Sequence, residues 1–192
     1  HTLPSTNIRH LAVTRPMVDD PSGELKKILA RPDDPGQQEA FRRLLAEEEK
    51  NLEEMLRQKA TEWQECYGIR FSEQRIQIIT RRSAETQTDV DGAVEEIRDI
   101  HQTAREFAEK FSRRNDLEMS FTEEAIDRLV ETVWEEGMAP ADYLGRSFQN
   151  YEHGLKLIRE KTGKRVFMIP AEGMEDPEKF LNGMIQETYR CE

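Results

Sequence analysis

Side chains able to act as nucleophiles, bases or metal ligands are few and dispersed in this sequence. Four histidines are present, and none stands at a metal-ligand spacing from another. They are His1, His10, His101 and His153. Cys66 has no base partner close in sequence, which favours a structural thiol. Cys66 and Cys191 are too few for a disulfide framework. The sequence therefore predicts no catalytic residue and no metal ligand.

Two short polar motifs could still carry chemistry. Tyr151-Glu-His-Gly154 is a compact polar and aromatic cluster, for which a helix end with a packing role is the preferred interpretation. Lys161-Thr-Gly-Lys164 lacks the glycines and the strand that precede a phosphate-binding loop, so it predicts a turn. ATP hydrolysis by this chain alone is not expected.

Composition narrows the classes of partner. The 192 residues carry a net charge of -11, which argues against a surface for nucleic acid. The basic pairs Arg81-Arg82 and Arg113-Arg114 are expected to be solvated. No apolar run approaches the roughly 18 residues that span a membrane, and no signal peptide is visible. These features favour a cytoplasmic protein without nucleic-acid or membrane partners, and the start at His1 without Met indicates part of a longer chain.

The elements that must position these residues are mostly helices. Apolar residues recur at spacings of three and four, which predicts a mostly α fold with a minor β component. The longest helix is predicted over 37–65, where the polar turn 47–50 disfavours a long coiled coil. Segments 8–14 and 165–170 have strand character, and we expect these two short strands to pair because a lone strand leaves its backbone unsatisfied.

An eleven-residue pattern occurs twice, at 69–79 and again at 119–129. Each copy has an aromatic residue, a hydroxyl residue, acidic or amide residues and then an amphipathic run. Ser72 and Thr122 are suited to cap a helix because their hydroxyls can accept from free first-turn amides. Each copy therefore predicts an extended segment, a cap and a helix.

A second similarity places residues 10–29 over 166–185 without a gap. The shared pattern is a short strand, a loop, Asp-Pro and a short helix. Internal duplication would explain this similarity, and so would the independent occurrence of the same local structure in two places.

Several of these segments together resemble the small, lid-forming C-terminal domain of Clp-type AAA+ unfoldase ATPases. Leu25-Lys-Lys-Ile-Leu-Ala-Arg-Pro32 is similar to the helix and proline that leave the nucleotide-binding domain in that family. The long helix 37–65 and the entry Tyr67–Ile76 follow in the same order. The resemblance covers about residues 8–110 and the strand 165–169.

The family's nucleotide-sensing arginine follows Gly-Ala, and the closest match here is Thr88–Arg98. Val94 stands where that arginine would be, so the resemblance leaves Arg98 and Arg146 as candidates for nucleotide sensing.

The resemblance implies a helical lid-like domain that is not catalytic in isolation. The parent chain would bind ATP and Mg²⁺, and no cofactor would be held by this part. Its partners would be neighbouring subunits of a homo-oligomeric ring and a protein substrate. Residues 1–36 would form the junction to the ATPase domain, 37–115 the lid-like helical region, and 116–192 a second helical element with the closing strand and a last helix. The alternative is a free-standing acidic helical adaptor that recruits a basic partner.

Overall fold

The structure is a computed structural model that describes residues 13, 15–30, 35–86 and 89–190. In these ranges it is mostly helical with two short strands, which confirms the predicted fold class. The elements, in chain order, are α1 (Arg15–Asp19), α2 (Pro21–Ala30), α3 (Pro35–Tyr67), α4 (Glu73–Thr86), α5 (Val90–Asn115), β1 (Glu118–Phe121), α6 (Glu123–Glu136), α7 (Pro140–Ser147), α8 (Tyr151–Thr162), β2 (Val166–Ile169), α9 (Ala171–Glu175) and α10 (Pro177–Arg190). None of the helices in this part of the chain is long and apolar enough to cross a membrane.

The chain divides into two compact units, residues 1–58 and 59–192. In the first unit, α2 follows α1 after a single residue, Asp20. Helix α3 contributes residues to both units and extends two residues beyond the predicted range 37–65 at each end. Proline is favourable in a first helical turn, as at Pro35, and Gly68 ends the helix with φ +68°, a conformation that glycine adopts without strain.

The second unit is built around α5, whose apolar stripe lies in the core. Helices α4, α6 and α7 and strand β1 all contact α5. Asp89 caps α5 by accepting from the backbone amide of Gly92 at 2.7 Å. Because α5 is contacted from several directions, it fixes the positions of its neighbours.

The strand predicted over 165–170 is confirmed as β2. It pairs in parallel with β1, with Met119 beside Phe167 and Phe121 beside Ile169. Strand β1 is the extended segment that the pattern predicted before the cap Thr122. The other strand candidate, 8–14, lies outside the described residues except for Val13, so its expected pairing stays a prediction.

The repeated pattern produces the same local structure twice. Helices α4 and α6 are fourteen residues long and begin at equivalent positions. The Ser72 hydroxyl accepts from the Arg75 amide at 3.1 Å, and the Thr122 hydroxyl accepts from the Ala125 amide at 3.2 Å. Both predicted caps are therefore confirmed.

The second similarity also has a structural counterpart. The Asp20 carboxylate accepts from the amide of Gly23 at 3.0 Å, and the Asp176 carboxylate accepts from that of Lys179 at 3.0 Å. The segment predicted as a loop is instead a five-residue helix in each copy, α1 and α9. Five residues are too few to show a helical period, which explains why the sequence did not reveal these helices.

Packing between α8 and α10 depends on Gly154. A Cβ atom at this position would lie 2.7 Å from Leu181 Cδ1, and Leu181 is itself buried. We expect Gly154→Ala to lower the free energy of unfolding by about 1–3 kcal/mol, because overpacking outweighs the gain in helix propensity. Urea unfolding of the two proteins measures this difference.

Gly183→Ala is the matched control, since a Cβ there meets no atom within 4 Å. This change should be neutral or should stabilise the protein by up to about 1 kcal/mol. Equal stability of Gly154→Ala and the parent protein would contradict the close approach of α8 to α10.

Candidate functional site

The strongest polar cluster of the second unit surrounds Arg75, near the start of α4. Only 1% of the Arg75 side chain is exposed. Its Nε donates to Asp127 Oδ1 at 2.6 Å, and its Nη1 donates to Glu123 Oε2 at 2.9 Å. Nη1 also donates to the backbone carbonyl of Arg70 at 2.9 Å. A buried guanidinium is thus surrounded by acceptors from two segments of the chain.

Asp127 is the buried acid of this cluster, with 3% of its side chain exposed. Burial raises the pKa of the Asp127 carboxyl, and the charge and hydrogen bond of Arg75 oppose that rise. Each group therefore requires the other, because either charge alone would be costly at this depth.

His101 on α5 extends the cluster towards solvent. Its Nε2 lies 3.4 Å from Glu123 Oε1, and one fifth of its side chain is exposed. The described residues contain no group of three or more His, Cys, Asp or Glu side chains arranged to hold a metal. Arg75, Asp127, Glu123 and His101 satisfy one another, so the arrangement joins α4, α5 and α6 rather than presenting groups to a substrate.

A shallow groove lies further along the same two helices. It is lined by Ile78, Arg81, Arg82, Glu131, Trp134 and Glu135, with a volume of about 140 Å³. The Arg81 side chain pairs with Glu131 at 2.9 Å, and the Arg82 guanidinium lies 4.7 Å from the centre of the Trp134 ring. Ligand pockets usually measure about 300–1,000 Å³, so this groove is too small to enclose a nucleotide.

The two candidates for nucleotide sensing lie on different helices. Arg98 on α5 is about half exposed, and its nearest acid is the adjacent Asp99 at 3.6 Å. Arg146 on α7 is 61% exposed and lies 3.5 Å from Glu136 Oε2. Its Nη2 also lies 3.3 Å from the sulfur of Met138. Among the described residues, the two arginines share no contact partner.

Val94 occupies the position that the resemblance equates with the sensing arginine. It is fully buried in the core on α5. That face of α5 packs inward, so a side chain at 94 cannot reach a ligand in solution.

The Tyr151–Gly154 cluster forms the first turn of α8. The Tyr151 hydroxyl donates to the carbonyl of Pro177 at 2.9 Å, and burial raises the pKa of Tyr151 above its usual value. The hydrogen bond from Lys156 lowers the pKa of Glu152. These contacts confirm the packing interpretation. Cys66, in contrast, is an exposed free thiol on α3 and not a buried structural one.

Sequence reasoning missed the Arg75–Asp127 pair. The repeated pattern predicts only an extended segment, a cap and a helix in each copy, and it gives no partner for the Arg75 guanidinium. The one usable signal was the repeat itself, which makes 73–86 and 123–136 equivalent helices.

No protein-family model, no curated protein and no solved structure matches this sequence. Function must therefore be inferred from the geometry of the described residues and from the sequence motifs that resemble the Clp-type lid domain.

Removal of Arg75 should be among the most destabilising single changes in the second unit. Arg75→Met leaves the Asp127 charge buried without a partner, which should lower the free energy of unfolding by about 3–5 kcal/mol. The double variant Arg75→Met/Asp127→Leu removes both charges and should recover most of that loss. Chemical denaturation of the three proteins tests this expectation.

Arg81→Ala serves as the control, because the Arg81–Glu131 pair is exposed on the arginine side. We expect it to change stability by less than about 1 kcal/mol. A double variant no more stable than Arg75→Met would show that the two buried charges are not coupled.

Proposed function

We propose that this chain is the lid and oligomerisation region of a cytoplasmic Clp-type AAA+ unfoldase or protease-associated ATPase. The observation that carries the proposal is the setting of Arg146, an exposed arginine on a firmly packed helix. Support also comes from the compact helical body of the second unit and from the motif resemblance, which covers Arg98 but does not extend to Arg146.

The backbone around Arg146 is held in place by its neighbours. Leu144 is fully buried, and the hydroxyl of Tyr143 donates to the carbonyl of Met174 at 2.9 Å. The Arg146 side chain, by contrast, has only the long contacts to Glu136 and Met138. Such an arginine can exchange its carboxylate for phosphate oxygens, which guanidinium binds in a bidentate fashion.

In the whole protein, the lid would respond to bound ATP through Arg146 and pass that response to neighbouring subunits of a homo-oligomeric ring. Hydrolysis would use phosphate-loop and Mg²⁺-binding residues elsewhere in the parent chain. The energy of hydrolysis would be spent on unfolding a protein substrate. Arg98, which lies beside the buried Ile97 on α5, is the second candidate.

A free-standing adaptor is the second candidate. The net charge of -11 and the exposed Glu47 and Glu48 on α3 favour this alternative, since they would attract a basic partner.

The test uses the protein encoded by the full reading frame that contains this chain. Arg146→Ala should lower the ATP hydrolysis rate by about tenfold to a hundredfold, the loss of one charge-assisted hydrogen bond to phosphate. Arg105→Ala removes another exposed arginine, on α5, and should leave the rate unchanged. A full frame without ATPase activity would refute the proposal and favour the adaptor, whereas an active Arg146→Ala enzyme would refute the role of Arg146.

A further inference from the structure

Strand β2 pairs with β1 along one edge, and no strand of the described residues lies along its other edge. Glu118 donates to the carbonyl of Arg165 at 2.8 Å, and Thr122 donates to that of Ile169 at 3.0 Å. The odd-numbered residues of β2 therefore face β1. Because backbone groups alternate along a strand, the amides and carbonyls of Val166 and Met168 point to the other side.

In the described part of the chain the sheet has only these two strands, so no described strand lies along the outer edge of β2. Its main contacts in this part of the chain are with β1 and α9. If segment 8–14 paired with β2 as predicted, it would occupy this edge and the chain would stay monomeric. Open edges of this kind are templates for pairing with another strand.

The side chains at this edge are apolar. Val166 is 53% exposed and Met168 is 63% exposed, whereas Phe167 and Ile169 are buried. Parallel strands are normally covered on both faces. An open edge beside two large exposed apolar side chains therefore indicates a surface for another chain.

We propose that β2 pairs antiparallel with β2 of a second copy, about a two-fold axis through Phe167. In this register Val166 of each copy faces Met168 of the other, and both exchange amide–carbonyl hydrogen bonds. A shift by one residue would require the backbone amide and carbonyl of Phe167 to pair across the new edge. These groups already point towards β1. The proposed register uses both outward-facing residues of each strand, and it places the exposed Val and Met side chains against each other.

The charges beside the strand favour a second copy in the antiparallel direction. Lys164 and Arg165 precede β2, and the exposed Glu172 follows it, whereas Glu175 is already paired with Arg128 at 2.8 Å. Antiparallel pairing brings the basic end of one strand beside the acidic end of the other. Parallel pairing would place like charges together.

This contact is isologous and closes after two copies, whereas subunits of a ring meet head to tail. It is therefore independent of the proposed ATPase role. Two four-residue strands bury less than a standard interface, so we expect a weak dimer that forms only at high protein concentration.

Sedimentation of the 192-residue chain at rising concentration tests the dimer. Met168→Pro should weaken association at least about tenfold, because proline removes an outward-facing amide. The ladder to β1 does not use that amide, so the variant should fold with an unchanged circular dichroism spectrum. Met168→Leu keeps the amide and an apolar side chain, and should dimerise like the parent protein.

Cysteine cross-linking then checks the register, in a Cys66→Ser/Cys191→Ser background. Chains with Val166→Cys should form a disulfide with chains carrying Met168→Cys, because paired residues bring their Cα atoms about 5.5 Å apart. Val166→Cys alone should not, since its two copies are diagonal to each other.

Three results would overturn the proposal: a monomer at all concentrations, a dimer that Met168→Pro leaves unchanged, or equal cross-linking by Val166→Cys alone. If Met168→Pro does not fold, Val166→Lys replaces it in the sedimentation test and the cross-links decide the register. A parent chain that stays monomeric but binds an extended foreign peptide would also refute pairing between copies.

Discussion

The burial of one positive charge, Arg75, constrains the second unit more than any other interaction. A guanidinium removed from water needs acceptors for its donors, and these come from Asp127, Glu123 and the carbonyl of Arg70. A buried ion pair adds little net stability compared with apolar residues of the same shape. What it can add is specificity, because any other placement of α4 against α6 leaves a buried charge without a partner.

The placement of α4 against α6 also determines where other elements of the second unit lie. Arg75 meets Asp127 near the start of both helices, and Arg81 meets Glu131 further along, so α4 and α6 run in the same direction. The cap Thr122 joins α6 directly to β1, and β1 holds β2. The position of the small sheet, and of its open edge, therefore depends on the same pair of helices as the buried charge.

Local features were predictable from the sequence, and long-range ones were not. Ser72 and Thr122 were recognised because capping needs only a hydroxyl and the next few amides. The partner of β2 was not recognised, because pairing with 118–121 is decided by helices α6 to α8 between the strands. Arg75 and Val94 show the same limit. Their burial is set by packing across helices, so the sequence pattern did not reveal the buried partners of Arg75, and the resemblance placed Val94 beside a supposed ligand.

Arg75 and Arg146 show how environment separates a structural arginine from one available to a ligand. Every acceptor of Arg75 comes from its own chain, and binding a phosphate would require breaking a buried network. Arg146 would exchange an exposed contact to Glu136 at 3.5 Å and a weak hydrogen bond to the Met138 sulfur at 3.3 Å. Its helix is nevertheless fixed by the buried Leu144, so binding energy would not be spent on ordering the backbone. The proposed nucleotide-dependent role would therefore break fewer existing contacts at Arg146 than at Arg75. The charge of Arg75 instead holds α4 and α6, which support the sheet, in their relative position.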